Sequence, residues 1–155
     1  MDLGIEDVDD APGYFSDKFP EYGAQISEFW KHIEDIVGEY DYSAPLIRSL
    51  KEKGYRVYLL SNYPDKLADM HWSRFSFLKE LDGYIVSAKV KLAKPDRAIY
   101  ELLLNKYGLT AGECVFIDDR QDNVDAAIEV GMKGILFTGY DELMQRPEMK
   151  QKDTR

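Results

Sequence analysis

Cys114-Val115-Phe116-Ile117-Asp118-Asp119 is a run of strand-forming apolar residues that ends abruptly in two adjacent carboxylates. Because apolar residues follow one another without alternating with polar ones, the run predicts a strand covered on both faces, as in a parallel sheet flanked by helices. Downstream, Asn123 to Val130 has helical spacing and stops at Gly131, and Gly134-Ile135-Leu136-Phe137 predicts the next strand. Upstream, Pro95 to Tyr107 predicts a long helix with Ala98, Ile99, Leu102 and Leu103 facing inward. Before it come a strand at Gly83-Tyr84-Ile85-Val86-Ser87, a helix from Asp65 to Trp72, and a strand at Tyr55-Arg56-Val57-Tyr58-Leu59-Leu60-Ser61 between Gly54 and Asn62. Strand and helix in regular alternation predict an α/β fold with a doubly wound parallel sheet.

The first part of the chain reads differently. To about Tyr22 it is acidic and rich in turn formers (Asp9, Asp10, Pro12, Gly13, Pro20), which predicts short helices or irregular structure and no strand. Ile26, Phe29, Trp30, Ile33, Ile36 and Val37 recur at helical spacing, so Ala24 to Val37 is expected to be one amphipathic helix with Phe29 and Trp30 in the core. Ser43 stands where an N-cap would, Pro45 suits a first turn, and Leu46, Ile47 and Leu50 form the apolar stripe of a helix that Gly54 ends. These patterns divide the chain into a helical portion at 1–42, an α/β core at 43–148 and a charged tail at 149–155, with fraying expected beyond Arg146.

Composition narrows the function classes. The 155 residues amount to about one domain, and 45% hydrophobic residues are enough for a core. Twenty Lys and Arg against 29 Asp and Glu give a net charge of −9, which disfavours nucleic-acid and anionic-membrane binding. The single cysteine, Cys114, rules out an intrachain disulfide and fits a reducing, cytoplasmic setting. No apolar run approaches the length of a membrane span, and no signal peptide is apparent.

In doubly wound sheets ligands bind beyond the carboxyl ends of the strands. That edge is expected to present Ser61 and Asn62 after one strand and Asp118 and Asp119 after another, with Lys94-Pro95-Asp96 opening the long helix beside them. Taken singly, Ser61-Asn62 reads as a strand-ending turn, Lys94 as a solvated lysine and Asp119 as a helix N-cap. Taken together they make a coherent set. Paired carboxylates suit Mg²⁺, a hard cation that prefers oxygen ligands, while a hydroxyl and an ammonium suit the oxygens of a phosphoryl group.

Tyr58-Leu59-Leu60-Ser61-Asn62, Lys94-Pro95-Asp96 with Ile99-Tyr100, and Val115-Phe116-Ile117-Asp118-Asp119 with Asn123 and Ala126-Ala127 occur in an order that closely resembles the haloacid dehalogenase (HAD) superfamily. The resemblance covers roughly Trp30 to Phe137 and is strongest to the phosphatase-like branch with a helical cap. It implies a HAD-like, Rossmannoid core with a partial helical cap at the N-terminus. It also implies that Ser61 binds the transferring phosphoryl group and that Lys94 steadies nucleophile and phosphate, which makes these two the catalytic residues. Asn62 would help line the phosphate pocket, Asp118 and Asp119 would bind Mg²⁺, and Asn123 would brace the acidic loop. The implied partner is a small phosphorylated molecule.

The family's first motif, an apolar strand ending in a nucleophilic aspartate, has no counterpart that reads as a strand here. Asp2-Leu3-Gly4 follows only Met1, and Asp7-Val8-Asp9 follows Gly4-Ile5-Glu6, which is no buried strand. The chain is therefore expected to begin within the cap and to lack the strand that in this family lies between those ending at Ser61 and Asp118. An N-terminally shortened form, a partner-completed piece and a diverged relative all fit that expectation. The leading reading is a Mg²⁺-dependent phosphomonoester hydrolase of this superfamily that is inactive as this chain alone. The alternatives are a non-catalytic phosphate-binding or interaction domain and a metal-independent dehalogenase. A phosphoacceptor receiver domain is rejected, because there the acids come first and the lysine last.

Overall fold

The computed structural model describes residues 11–150. Nine α-helices and four strands are found among them. The first helices are α1 (Ala11–Lys18), α2 (Gly23–Lys31) and α3 (Ser43–Glu52), followed by strand β1 (Tyr58–Ser61) and α4 (Asp65–His71). Then come β2 (Gly83–Val86), α5 (Ser87–Val90), α6 (Arg97–Tyr107), β3 (Val115–Asp118), α7 (Gln121–Glu129), β4 (Lys133–Leu136), α8 (Tyr140–Gln145) and α9 (Pro147–Lys150).

Both strand pairings are parallel. β1 pairs with β2 from Tyr58 opposite Gly83 to Ser61 opposite Val86. β3 pairs with β4 from Val115 opposite Lys133 to Asp118 opposite Leu136. The expected alternation is present, but among the described residues the sheet is in two halves, β1-β2 and β3-β4, with no strand joining β1 to β3. The core is correspondingly layered. Leu60, Ile85, Ile99, Tyr100, Leu103, Phe116, Ala127 and Met132 form one buried cluster. Ile135, Leu143 and Met149 form a second, against which Leu46, Leu50, Val115, Ile117 and Phe137 pack. Phe116 therefore points to one layer and its neighbours Val115 and Ile117 to the other, the period-2 alternation that a strand imposes.

Local chemistry sets the boundaries. Asp96 caps α6 with its side chain, accepting from the Ala98 N–H at 2.9 Å, and Gly108 ends that helix in the left-handed conformation that a residue without Cβ adopts readily. At Gly83 the requirement is space: a Cβ there would meet the Tyr107 ring, with Cε1 at 2.5 Å. That close approach lets the Tyr107 hydroxyl accept from the Tyr84 N–H and donate to the Tyr84 carbonyl, both at 2.9 Å, which ties α6 to β2.

Three sequence expectations need correction. The helix expected from Ala24 to Val37 ends at Lys31, and a single 3₁₀ turn, Ile33–Asp35, follows. His32 leaves the helical conformation and its N–H bonds to the Phe29 and Trp30 carbonyls, which closes α2 early. Phe29, expected in the core, is 49% exposed, and no residue of α2 is buried. Ser43 is the first residue of α3 and not its cap; Tyr42 holds that position without a side-chain bond. Fraying is expected beyond Arg146, but residues 147–150 are helical. α9 docks instead, with Met149 only 4% exposed, the Lys53 ammonium donating to the Met149 carbonyl at 2.7 Å and the Tyr55 hydroxyl donating to the Glu148 carbonyl at 3.1 Å. One well-placed apolar side chain outweighs the charge of its neighbours. Residues 151–155, and the two nucleophile candidates Asp2 and Asp7, lie outside the described residues.

Candidate active site

Ser61 is the last residue of β1 and Asp118 the last of β3, so both stand at the carboxyl edge of their half-sheets. Ser61, Lys94, Asp118 and Asp119 line one cavity of about 920 Å³ that runs between the two halves. Lys94 reaches it from the loop before α6, where the Lys94–Pro95 peptide bond is cis.

The centre of the arrangement is an ion pair. The Lys94 ammonium lies 2.7 Å from Asp118 Oδ2, and the two side chains are 10% and 7% exposed. The other carboxylate oxygen, Oδ1, accepts from the Arg120 N–H at 3.0 Å and from Asn123 Nδ2 at 2.9 Å. Burial by itself would raise the Asp118 carboxyl, but the bonds from Lys94, Asn123 and the Arg120 N–H outweigh it and hold the group below its ordinary value. Asp118 is therefore a fixed anion at neutral pH. Asp119, next along the chain, makes no hydrogen bond or ion pair among the described residues.

Asn62 is tied to the lysine loop. Its Nδ2 donates to the Lys94 carbonyl and its Oδ1 accepts from the Lys94 N–H, both at 2.9 Å. Both polar atoms are thus engaged with the Lys94 backbone, and the side chain works as a clamp between the end of β1 and the lysine loop. Asn123 stands where the bracing role requires it: it is buried in the first turn of α7 and bonded to Asp118. Tyr100 supports it from behind, its buried hydroxyl donating to the Asn123 carbonyl at 2.9 Å. Burial, with the Asp118 and Asp122 charges nearby, holds the Tyr100 phenol well above its ordinary value, so it stays a donor.

Sequence reasoning missed a second layer of polar contacts. The Tyr63 hydroxyl lies 2.5 Å from Nδ1 of the fully buried His71, and the Tyr63 N–H donates to the buried Ser87 hydroxyl oxygen at 3.0 Å. These bonds fix the chain immediately after Ser61-Asn62. The sequence signal was faint: a histidine on the inner face of a short helix and a serine ending a strand.

The donor set fits a magnesium ion. A carboxylate offers about four lone-pair positions. Three on Asp118 are taken by Lys94, Arg120 N–H and Asn123, leaving one on Oδ2, and Asp119 lines the same cavity. Mg²⁺ is typically held by one or two carboxylates and several waters, which two such oxygens satisfy. Among the described residues there is no group of three or more His, Cys, Asp or Glu that could hold a metal.

Fold and site together define a Rossmann-like α/β protein with a lysine–carboxylate centre at the carboxyl edge of its parallel strands. Residues 6–131 match the family model of the haloacid dehalogenase-like hydrolases, and the chain belongs to that family. It is 37% identical over 110 residues to a sesquiterpene phosphatase of Aspergillus oryzae, covering 68% of this chain and 53% of that protein. To a flavin mononucleotide hydrolase of Arabidopsis thaliana it is 30% identical over 105 residues, 63% of this chain and 40% of that one. The chain thus spans about half or less of the length of these relatives. Among solved structures it resembles a HAD family enzyme of Bacteroides thetaiotaomicron in its magnesium complex, with 27% identity, a TM-score of 0.64 and coverage of 87% of this chain and 74% of the other. Among the described residues no helix is long and apolar enough to cross a membrane.

Proposed function

We propose that this chain carries the phosphoryl-binding and metal-binding half of a phosphomonoester hydrolase acting on a small phosphorylated molecule in the cytoplasm. The observation that carries the reading is the buried Lys94–Asp118 pair at 2.7 Å, on the wall of the cavity that Ser61 and Asp119 also line. In this reading Ser61 donates its hydroxyl hydrogen to a phosphoryl oxygen, and Lys94 places a fixed positive charge against the same group. Asp118 keeps Lys94 oriented and, with Asp119, holds Mg²⁺. When bound, that ion would supply charge neutralisation of the phosphoryl oxygens. The two relatives, a sesquiterpene phosphatase and a flavin mononucleotide hydrolase, support a phosphate ester over a haloacid.

Titration calorimetry tests the binding half. Inorganic phosphate is expected to bind the 155-residue chain in the presence of MgCl₂ and to lose about tenfold in affinity in Ser61→Ala. Magnesium binding should weaken in Asp118→Asn and stay unchanged in Asp96→Asn, since Asp96 is the helix cap and asparagine caps equally well. Equal losses in Asp118→Asn and Asp96→Asn would reduce the acidic pair to a structural element.

The catalytic half turns on the nucleophile. In this reading Lys94 and Asp118 are spent on each other, Asp119 is given to the metal, and Ser61 has no base bonded to it among the described residues. The chain by itself is therefore expected to bind phosphate but to leave p-nitrophenyl phosphate unhydrolysed. Metal-dependent turnover that is abolished by Asp2→Asn or Asp7→Asn would overturn this and make the chain a complete enzyme. Phosphate binding that stays without turnover even when an N-terminal segment supplying an apolar strand ending in Asp-x-Asp is joined to the chain would favour the non-catalytic binding domain.

A further inference from the structure

Tyr40 is the most exposed large apolar side chain among the described residues, at 69%. It lines the same cavity as Ser61, Lys94, Asp118 and Asp119. A single aromatic ring on a surface is ordinary and needs no explanation. This one is different, because the chain on either side of it is fastened down.

Glu39, the preceding residue, accepts from the Ser76 N–H and the Ser76 hydroxyl, both at 2.7 Å, and from the Phe77 N–H at 3.3 Å. Those bonds tie the loop to the connection between α4 and β2. On the other side, the Tyr40 carbonyl accepts from the Ser43 N–H at 2.9 Å in the turn that opens α3. The Tyr40 ring lies nearly parallel to that of Tyr42, with centroids 5.1 Å apart and an angle of 8° between the planes. Tyr42 stacks in turn on Tyr140, at 4.4 Å and 26°.

Topology brings these rings together. A short connection, 53–57, joins α3 to β1, so the beginning of α3 lies at the end of the sheet where β1 finishes. Tyr140 opens α8 just after β4 and therefore stands at that end too. Tyr140, Tyr42 and Tyr40 thus form a ladder at the carboxyl edge, where Ser61 and Asp118 also stand. Tyr42 on Tyr140 is enough to staple the loop to α8. Tyr40 adds a ring with one face covered by Tyr42, and among the described residues no other ring stacks on it.

We propose that Tyr40 is a specificity-determining residue of this site, whose open face stacks on a planar, unsaturated ring in the organic part of the phosphorylated substrate. The inference rests on the phosphate-binding reading above and adds to it the class of ester: one with a flat ring, in preference to a saturated one of the same size. An aromatic ring attracts another beyond what area burial supplies, whereas a saturated ring gains area only. Because the loop is already fixed at Glu39 and Tyr42, little ordering is left to be done on binding, and the gain is kept as affinity. Stacking accepts any π-face, so Tyr40 selects planarity and not one particular heterocycle.

Titration calorimetry in MgCl₂ with matched pairs of probes tests this. Phenyl phosphate and cyclohexyl phosphate differ mainly in the flatness of the ring; 3-phenylpropyl and 3-cyclohexylpropyl phosphate repeat the comparison with a longer reach. In at least one pair the aromatic member is expected to bind the full chain about fivefold more tightly. Tyr40→Leu, a change at an exposed position that keeps an apolar side chain, should abolish the difference, and Tyr40→Phe should keep it. The phenyl protons of the bound probe should move upfield in the NMR spectrum with the wild type and with Tyr40→Phe, and not with Tyr40→Leu. Equal affinities within both pairs, while inorganic phosphate still binds, overturn this inference and leave the reading of the phosphate site standing. An aromatic preference that survives Tyr40→Leu undiminished also overturns it, because another residue then holds the ring. Failure of inorganic phosphate to bind overturns the site reading and this inference together.

Discussion

Lys94→Met is expected to destabilise the protein by about 3 kcal/mol at neutral pH, lowering its melting temperature by roughly 6–12 °C. The reason is the partner left behind. Asp118 is 7% exposed, and removing the ammonium at 2.7 Å leaves a buried carboxylate with only the Asn123 and Arg120 N–H bonds. Losing one member of a buried pair usually costs about 3–5 kcal/mol, and the two surviving bonds place this case at the lower end. The pH dependence has a definite sign. Asp118 is held below its ordinary value, so its contribution is fully present above the unfolded value of about 4 and is lost as pH falls through the lower folded value. The gap between wild type and Lys94→Met should therefore be widest near neutrality and close in acid, where the carboxyl is protonated in both. Adding Asp118→Asn to Lys94→Met removes the stranded charge and should recover part of the loss. Thermal melts at several pH values check this; single and double variants melting alike at neutral pH would show that the pair is not what stabilises the loop.

Tyr100→Ala should have an effect of similar or larger size, a loss of roughly 3–5 kcal/mol. The side chain is fully buried, its ring sits edge-on to Phe116 at 5.3 Å, and its hydroxyl holds the Asn123 carbonyl. Tyr100→Phe keeps the ring and drops only that bond, so about 1 kcal/mol is expected. Urea denaturation separates the two. If Tyr100→Phe matched Tyr100→Ala, the hydrogen bond and not the packing would dominate, contrary to the burial of the ring. Because Asn123 in turn holds Asp118, both variants should also loosen the acidic loop.

The parts of the fold that were legible in the sequence are those carried by local pattern. β1 and β3 announce themselves as apolar runs ending in Ser61 and Asp118, and α6 shows its inward face in Ile99, Leu102 and Leu103. The site residues were legible because strand ends in such folds converge, and Ser61, Lys94, Asp118 and Asp119 do line one cavity. What escaped depends on distant partners. The two polar atoms of Asn62 could have turned toward the cavity or toward the lysine loop, and only three-dimensional packing decides that they clamp Lys94. The early stop of α2 at His32 was hidden by Ile33, Ile36 and Val37, whose apolar spacing continues past the point where hydrogen bonding tightens. α9 was hidden by its charge, since a single methionine among polar residues gives no periodic signal.

The docking of α9 also bears on the order in which the molecule can be assembled. Lys53 and Met149 are joined across 96 residues of chain, and Met149 with Glu148 closes one side of the cavity. During synthesis the two strand edges and the helices between them emerge well before this closing piece. Contacts so far apart in sequence form late, since the loop entropy must be met before they contribute. For that interval the nascent chain has its cavity open on the α9 side, and the strand edges beneath are reachable. Met149 and Glu148 are thus the last part of the cavity wall to be added.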